Sequence, residues 1–181
     1  VAVVGDHAYA GSLIFTGANV TFTSSDSKYI YLSSPATVDV AEGVTVTFIG
    51  VQGRLNSGFI KTGKGVMVQT VNSGAFSSYT VAEGELQLAT NADAFNPCVQ
   101  VNVRSGARIS TKTANQTQNN VAFILEDGAE FVVEQPDTLG GVFGSGVCFS
   151  TAQTPLGVNF TLARGPWETS VLYSNVVVKA K

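Results

Sequence analysis

The chain has 181 residues, a formal net charge of -3, 44% hydrophobic residues and only 13% charged ones. That length suits one domain with a single substantial core and no linker, read as 1–181. With few Lys and Arg there is no basic stripe to neutralise phosphates, and no apolar run approaches the length of a bilayer span, so nucleic-acid binding and membrane insertion are not expected.

In chain order, Val1 to Val4 reads as a short strand, with Val1 and Val3 on one face. A first residue other than Met reads as a processed product of an export route, which implies an extracellular setting. His7 is the single histidine, and no Ser or Cys nucleophile motif accompanies it. A weak glycine-centred unit follows at Gly17, between Leu13 and Phe22. The next unit, at Gly43, comes 26 residues later, so an insertion is expected near 23–36.

From Gly43 onward the pattern sharpens. Glycines recur at Gly43, Gly65, Gly84, Gly106 and Gly128, in steps of 22, 19, 22 and 22 residues. Apolar residues stand five and three positions ahead of four of them: Val38 and Val40, Tyr79 and Val81, Val101 and Val103, Phe123 and Leu125. Ahead of Gly65 only Ile60 fits. Beyond each glycine the inward candidates are Val44 and Val46, Val66 and Val68, Ala107 and Ile109, Ala129 and Phe131, with Leu86 and Leu88 slipped by one after Gly84. Alternate residues of a strand face opposite ways, so Asp39, Thr45, Asn102 and Arg108 fall outward. A glycine-marked period of this length predicts one unit stacked repeatedly, each copy burying a face that the next supplies.

The step from Gly128 to the last weak unit at Gly165 is 37 residues. The segment 135–158, rich in glycine, is read as a long projecting loop, and the polar stretch Thr111–Asn120 as a corner or binding surface. Val176 and Val178 close the chain with another short strand. The expected fold is therefore all-β, a parallel β-solenoid of about eight coils with a positive φ at each corner glycine. A bulged hairpin also reads as strand, glycine turn, strand, so an antiparallel β-sandwich is the alternative.

The two cysteines, Cys98 and Cys148, suggest a disulfide. Three N-x-T sequons, at Asn19, Asn115 and Asn159, mark possible glycosylation. No Cys or His spacing suits a metal, and no cofactor is implied.

The segments Gly63-Lys-Gly65-Val-Met-Val68 and Tyr79-Thr-Val-Ala-Glu-Gly84-Glu-Leu-Gln-Leu88 resemble the strand repeat of bacterial autotransporter passenger domains, closely over residues 63–92. The resemblance implies a right-handed parallel β-helix and a role in surface display, adhesion or self-association. The chain departs from that family in lacking a C-terminal translocator barrel and in carrying a cysteine pair and sequons.

For function, the sequence favours a non-catalytic extracellular structural protein. Solenoids end in unpaired strand edges, and nothing at Val1, Val3, Val176 or Val178 reads as a charged cap, so end-to-end assembly into a homo-oligomer or filament is expected. A carbohydrate-binding adhesin is the alternative. A polysaccharide-degrading enzyme comes third; its candidate carboxylates are Glu126 with Asp127, Glu83 with Glu85, and Glu130 with Glu134.

Overall fold

A computed structural model of the protein describes residues 2–3, 5–6, 8–23, 29–49, 52–55, 59–70, 78–89, 100–114, 116, 121–135, 137–139, 141–150, 160–162 and 177–180. Strands and corners account for them, with no helix among the described residues. The strands are β1 (Ala2–Val3), β2 (Ala8–Phe15), β3 (Val20–Thr23), β4 (Tyr29–Val40), β5 (Thr45–Ile49), β6 (Gln52–Leu55) and β7 (Phe59–Thr62). They continue as β8 (Val66–Gln69), β9 (Ser78–Val81), β10 (Glu85–Leu88), β11 (Gln100–Val103), β12 (Arg108–Thr111) and β13 (Ala122–Leu125). The last are β14 (Glu130–Val133), β15 (Asp137–Leu139), β16 (Gly141–Gly144), β17 (Val147–Ser150), β18 (Phe160–Leu162) and β19 (Val177–Ala180).

Nine strands form one sheet in the order β1-β3-β5-β8-β10-β12-β14-β17-β19. A second sheet runs β16-β13-β11-β9-β7-β4-β2, with β6 paired to β4 beside that path, while β15 and β18 pair separately. From β7 to β14 the chain alternates between the two large sheets, so each coil lays one strand on each. Every pairing between described strands is parallel. The fold is the parallel β-solenoid expected from the glycine period, and the parallel ladders exclude the sandwich.

Stacking in register builds the core as columns. Val46, Met67, Leu86, Ile109, Phe131 and Cys148 form one, a residue from each successive coil. Across from it, Tyr79, Val101, Phe123 and Val142 form another. All of these side chains are buried, and the Phe123 and Phe131 rings meet with centroids 4.6 Å apart between the sheets. Each such side chain stabilises the fold by about 1.5–3 kcal/mol relative to exposure. Asp39, Thr45, Asn102 and Arg108 take the outward rows as expected, each half-buried.

The corners explain the glycines. Val44, Ala107 and Ala129 each donate a backbone hydrogen bond to the carbonyl three residues earlier, at 3.0, 2.9 and 2.9 Å. In each of these turns the third residue is a glycine with positive φ: Gly43 at 78°, Gly106 at 75° and Gly128 at 79°. The backbone reverses within four residues, and a left-handed residue at the third position is what such a turn demands.

Five expectations are corrected. The left-handed corner of the third glycine unit is Gly63, at φ 70°, and not Gly65. The inward row of that coil is also shifted by one residue from the expected count, as it is after Gly84. Met67 and Gln69 point inward, while Val66 and Val68 lie half-buried on the outward row. For the same reason Val38, and not Val40, stands in line with Val81 and Val103, through position 61. The segment 135–158 is not simply a loop: β16 and β17 lie within it and extend the stack on β13 and β14, with Gly144 at the corner at φ 101°. Likewise the expected insertion at 23–36 includes residues of the long strand β4. Between Ala10 and Ser12 of β2 the register jumps from Leu32 to Thr37, so the extra residues form a bulge within the sheet.

Candidate functional site

The edge strands β2 and β16 of one sheet differ in how well their inward residues are covered. At the N-terminal end β2 and β1 are the last strands of their sheets. Leu13 and Phe15 point inward in the columns of Val38 and Val40, yet both stay half-buried, whereas Val38 and Val40 are 0% exposed. Ala10 and Phe22 are also only partly buried against the core. The cause is positional, since no described coil lies beyond them to cover the interior. A short aromatic stack runs up to this opening: Phe15 meets Phe22 edge-on at 5.8 Å, and Phe22 stacks on Phe48 at 5.3 Å. On the outer face of β2, Ile14 is 70% exposed, and Tyr9, 80% exposed, stacks on Tyr31 with centroids 4.9 Å apart.

At the other extremity the nine-stranded sheet ends on β19. β16 is the last strand of its sheet, yet Val142 is buried, and Cys148 on β17 is 0% exposed with β19 beside it.

The residues singled out for assembly fall on these ends. Val3 belongs to β1, one edge of the nine-stranded sheet, and Val178 to β19, the opposite edge, in register with Cys148. Val1 and Val176 lie outside the described residues. The structure thus separates these positions to the two extremities of one sheet. Among the sequons, Asn19 is exposed, and its side-chain Oδ1 accepts a 2.7 Å hydrogen bond from the Thr45 backbone N–H. Asn115 and Asn159 lie outside the described residues. Of the polar stretch, Thr111 and Gln116 are buried, and Gln116 donates to the Ala114 carbonyl at 2.9 Å. Its described part is a corner.

Cys148 is a free, buried thiol, and Cys98, the other half of the expected disulfide, lies outside the described residues. Position 148 belongs to an inward column between Phe131 and Val178, where a small apolar side chain fits the stack. Burial pushes the thiol up to about 12 from 9.0. Cys148 in the folded protein is therefore expected to resist alkylation by iodoacetamide at neutral pH and to react fully once unfolded in urea, because the thiolate is the attacking species. Peptide mass mapping measures this, and rapid labelling of folded protein would contradict it.

The carboxylates are engaged by neighbouring coils. Glu126 pairs with Arg104 and accepts from the Ser105 N–H at 3.1 Å, and the Arg104 and Ser105 hydrogen bonds hold it below the usual carboxylate range. Glu85 accepts from the Ser110 hydroxyl at 2.6 Å and lies 3.8 Å from Arg108 and 3.9 Å from Lys112. Arg108 also lies 3.9 Å from Glu130, and Lys112 pairs with Glu134. Asp127 is exposed in its turn. Glu85, Arg108 and Glu130 occupy one register row of successive strands, so they form a cross-strand charge ladder.

One buried group was not legible in the sequence. Lys61, in line with Val38 and Val81, is 0% exposed. Its Nζ donates to the carbonyls of Thr62 (2.9 Å), Gly63 (2.5 Å) and Glu83 (3.0 Å). Burial pushes the ammonium down to about 8 from 10.5, against the opposing pull of Asp39 and Glu83. Between pH 8 and 10.5 the unfolded chain therefore binds more protons at this position, and stability rises with pH by up to about 1.4 kcal/mol per unit. Cys148 acts in the opposite sense above pH 9.0, where the unfolded chain loses a proton that the folded one keeps. Urea midpoints are thus expected to rise from pH 8 to 9 and then flatten, with Cys148→Ala extending the rise. A midpoint that falls from pH 8 to 9 would contradict this assignment.

Comparison with known proteins finds no match to this chain among protein-family models, curated proteins or solved structures.

Proposed function

We propose that this chain is a non-catalytic extracellular structural protein that associates through the ends of its solenoid into a larger surface assembly, a filament or layer. The observation that carries this reading is the incomplete burial of Leu13 and Phe15 on β2, an edge of its sheet among the described residues, beside the fully buried Val38 and Val40. An edge strand presents unpaired N–H and C=O groups, and solenoids whose ends lack a polar cap extend by adding strands. In support, β1 and β19 stand at opposite edges of one nine-stranded sheet. The extracellular setting rests on composition and on the sequons, of which Asn19 is exposed. Sedimentation velocity across a wide concentration range, joined to negative-stain microscopy, tests the reading. Mass that grows above that of one chain supports it, and a monodisperse monomer at the highest concentration would remove it.

A second reading, a carbohydrate-binding adhesin, is favoured by one observation, the exposed Tyr9 ring stacked on Tyr31. A flat exposed aromatic suits the apolar face of a sugar ring. Glycan-array binding that disappears in Tyr9→Ala would support it.

A further inference from the structure

Resting on the proposal of assembly, we infer that copies joined along the solenoid axis also meet side by side, through the outer surface of the sheet that holds β4, β7, β9, β11, β13 and β16. This surface carries an uncharged row in register across its strands: Thr37, Ile60, Thr80, Asn102, Ile124 and Phe143. Each of these residues is half-buried. From β9 to β16 no described outward residue of the sheet's strands is ionisable. At the rim the charges are engaged within the chain: Asp39 accepts from the Thr62 hydroxyl at 2.9 Å, and Arg104 pairs with Glu126.

The opposite sheet is built differently. On the same coils it sets Glu85, Arg108, Lys112, Glu130 and Glu134 outward in the charge ladder, and its outward Ser110 and Val132 are already buried. Covering that ladder would strip water from its ions, a cost that can exceed what their contacts return. Covering the uncharged row costs less. Its amides are satisfied from within, since Gln100 Nε2 donates to Asn102 Oδ1 at 2.9 Å and Asn102 Nδ2 to the Tyr79 carbonyl at 3.3 Å. Ile60, Ile124 and Phe143 can therefore lose water without stranding those donors.

A second copy is the occupant this pattern selects. Each coil advances the row by about 4.8 Å, and the surface that matches such a pitch is the same face of another copy, packed about 10 Å away as stacked sheets are. Charge agrees, because the chain carries a net -3 and this contact keeps the ladders of both copies on their far sides. Six strands, with four residues of each, span roughly 30 by 13 Å. That is about half of the ~800 Å² per partner in a stable interface, so two lone chains are held weakly. The contact gains strength when several joined copies lie alongside one another.

A cross-linking series on the full chain tests the inference. Thr80→Cys, near the middle of the row, is expected to yield a covalent pair with a short bis-maleimide, at concentrations where sedimentation shows assembly and beyond any yield from the unsubstituted chain. Adding Ile124→Lys, which brings cations to the join, is expected to cut that yield about tenfold or more. Gln87→Lys, on the opposite sheet, is expected to leave it within about twofold. Circular dichroism and urea midpoints are read on each variant to show that it folds. Assembly with no linkage at position 80, or with equal losses from the two lysine variants, would overturn the lateral contact and leave end-to-end assembly standing. A monomer at every concentration would overturn both and leave this face to a foreign partner.

Discussion

Gly84→Ala is expected to cost about 4 kcal/mol or more, enough to leave a marginal solenoid partly unfolded at room temperature. The φ of Gly84 is 65°, a left-handed geometry that alone costs an alanine about 1–2 kcal/mol. Steric conflict costs more. A Cβ there would sit 2.4 Å from the Gly65 carbonyl oxygen, 2.5 Å from that of Gly63 and 2.7 Å from the Lys64 carbonyl carbon. These are backbone atoms of the preceding coil, tied in place by the Glu85 N–H bond to the Gly65 oxygen at 3.2 Å. Relief requires the coils to separate, which breaks the ladder on both sheets. Gly106→Ala is the control. Its φ is 75°, but a Cβ there would meet nothing within 4 Å, so only the backbone strain of about 1 kcal/mol is expected. Urea denaturation of the pair measures the difference, and equal losses would show that coil contact at Gly84 is not what requires glycine.

Lys61→Ala is expected to lose about 3–5 kcal/mol, the range for emptying a large buried site and orphaning its hydrogen-bond partners. The long aliphatic stem fills a core position between Val38 and Val81, and the ammonium reaches the corner to bind carbonyls of its own coil and of the next. One side chain thus replaces a hydrophobic residue and ties two coils together. Lys61→Met separates the two contributions, because it keeps the stem and removes the donors; about 1–3 kcal/mol is expected, the cost of carbonyls left without a partner. It is also expected to abolish the rise in stability between pH 8 and 9. If Lys61→Met were as stable as the unsubstituted chain at pH 7, the carbonyl bonds would be contributing nothing net, as happens when burying a charge costs as much as its contacts return.

Most of the core is legible in the order of residues alone. Val38, Tyr79, Val101, Val103 and Ile109 alternate with polar neighbours, and alternation by itself states which side of a strand is dry. The outward placement of Asp39, Thr45, Asn102 and Arg108 follows from the same rule. Phase is harder to read. In the third unit the inward row starts two residues after Gly65, as it does after Gly84, and counting from the glycine as at Gly43 names Val66 and Val68 where Met67 and Gln69 are inward. In a strand of period two a slip of one residue exchanges the faces, and valine suits either face well enough to hide the error. Lys61 escapes notice for a related reason. A lysine on a strand reads as outward, and only the converging carbonyls of Thr62, Gly63 and Glu83 make an inward one tolerable.

The ends follow the same division. Short apolar strands at Val1 to Val4 and Val176 to Val178 can be seen in the chain, but not how well the inward residues of the edge strands are covered. Val142 on β16 is buried while Leu13 and Phe15 on β2 are half-buried, although both strands are edges of one sheet. Glycine spacing and alternation determined the solenoid, because a repeated turn and a two-residue period are local properties of the chain. The phase of each coil, the inward lysine, the burial of Cys148 and the unequal burial on the edge strands β2 and β16 were decided only by tertiary structure, because each depends on which atoms lie one coil away, some 20 residues distant along the chain and about 4.8 Å distant in space.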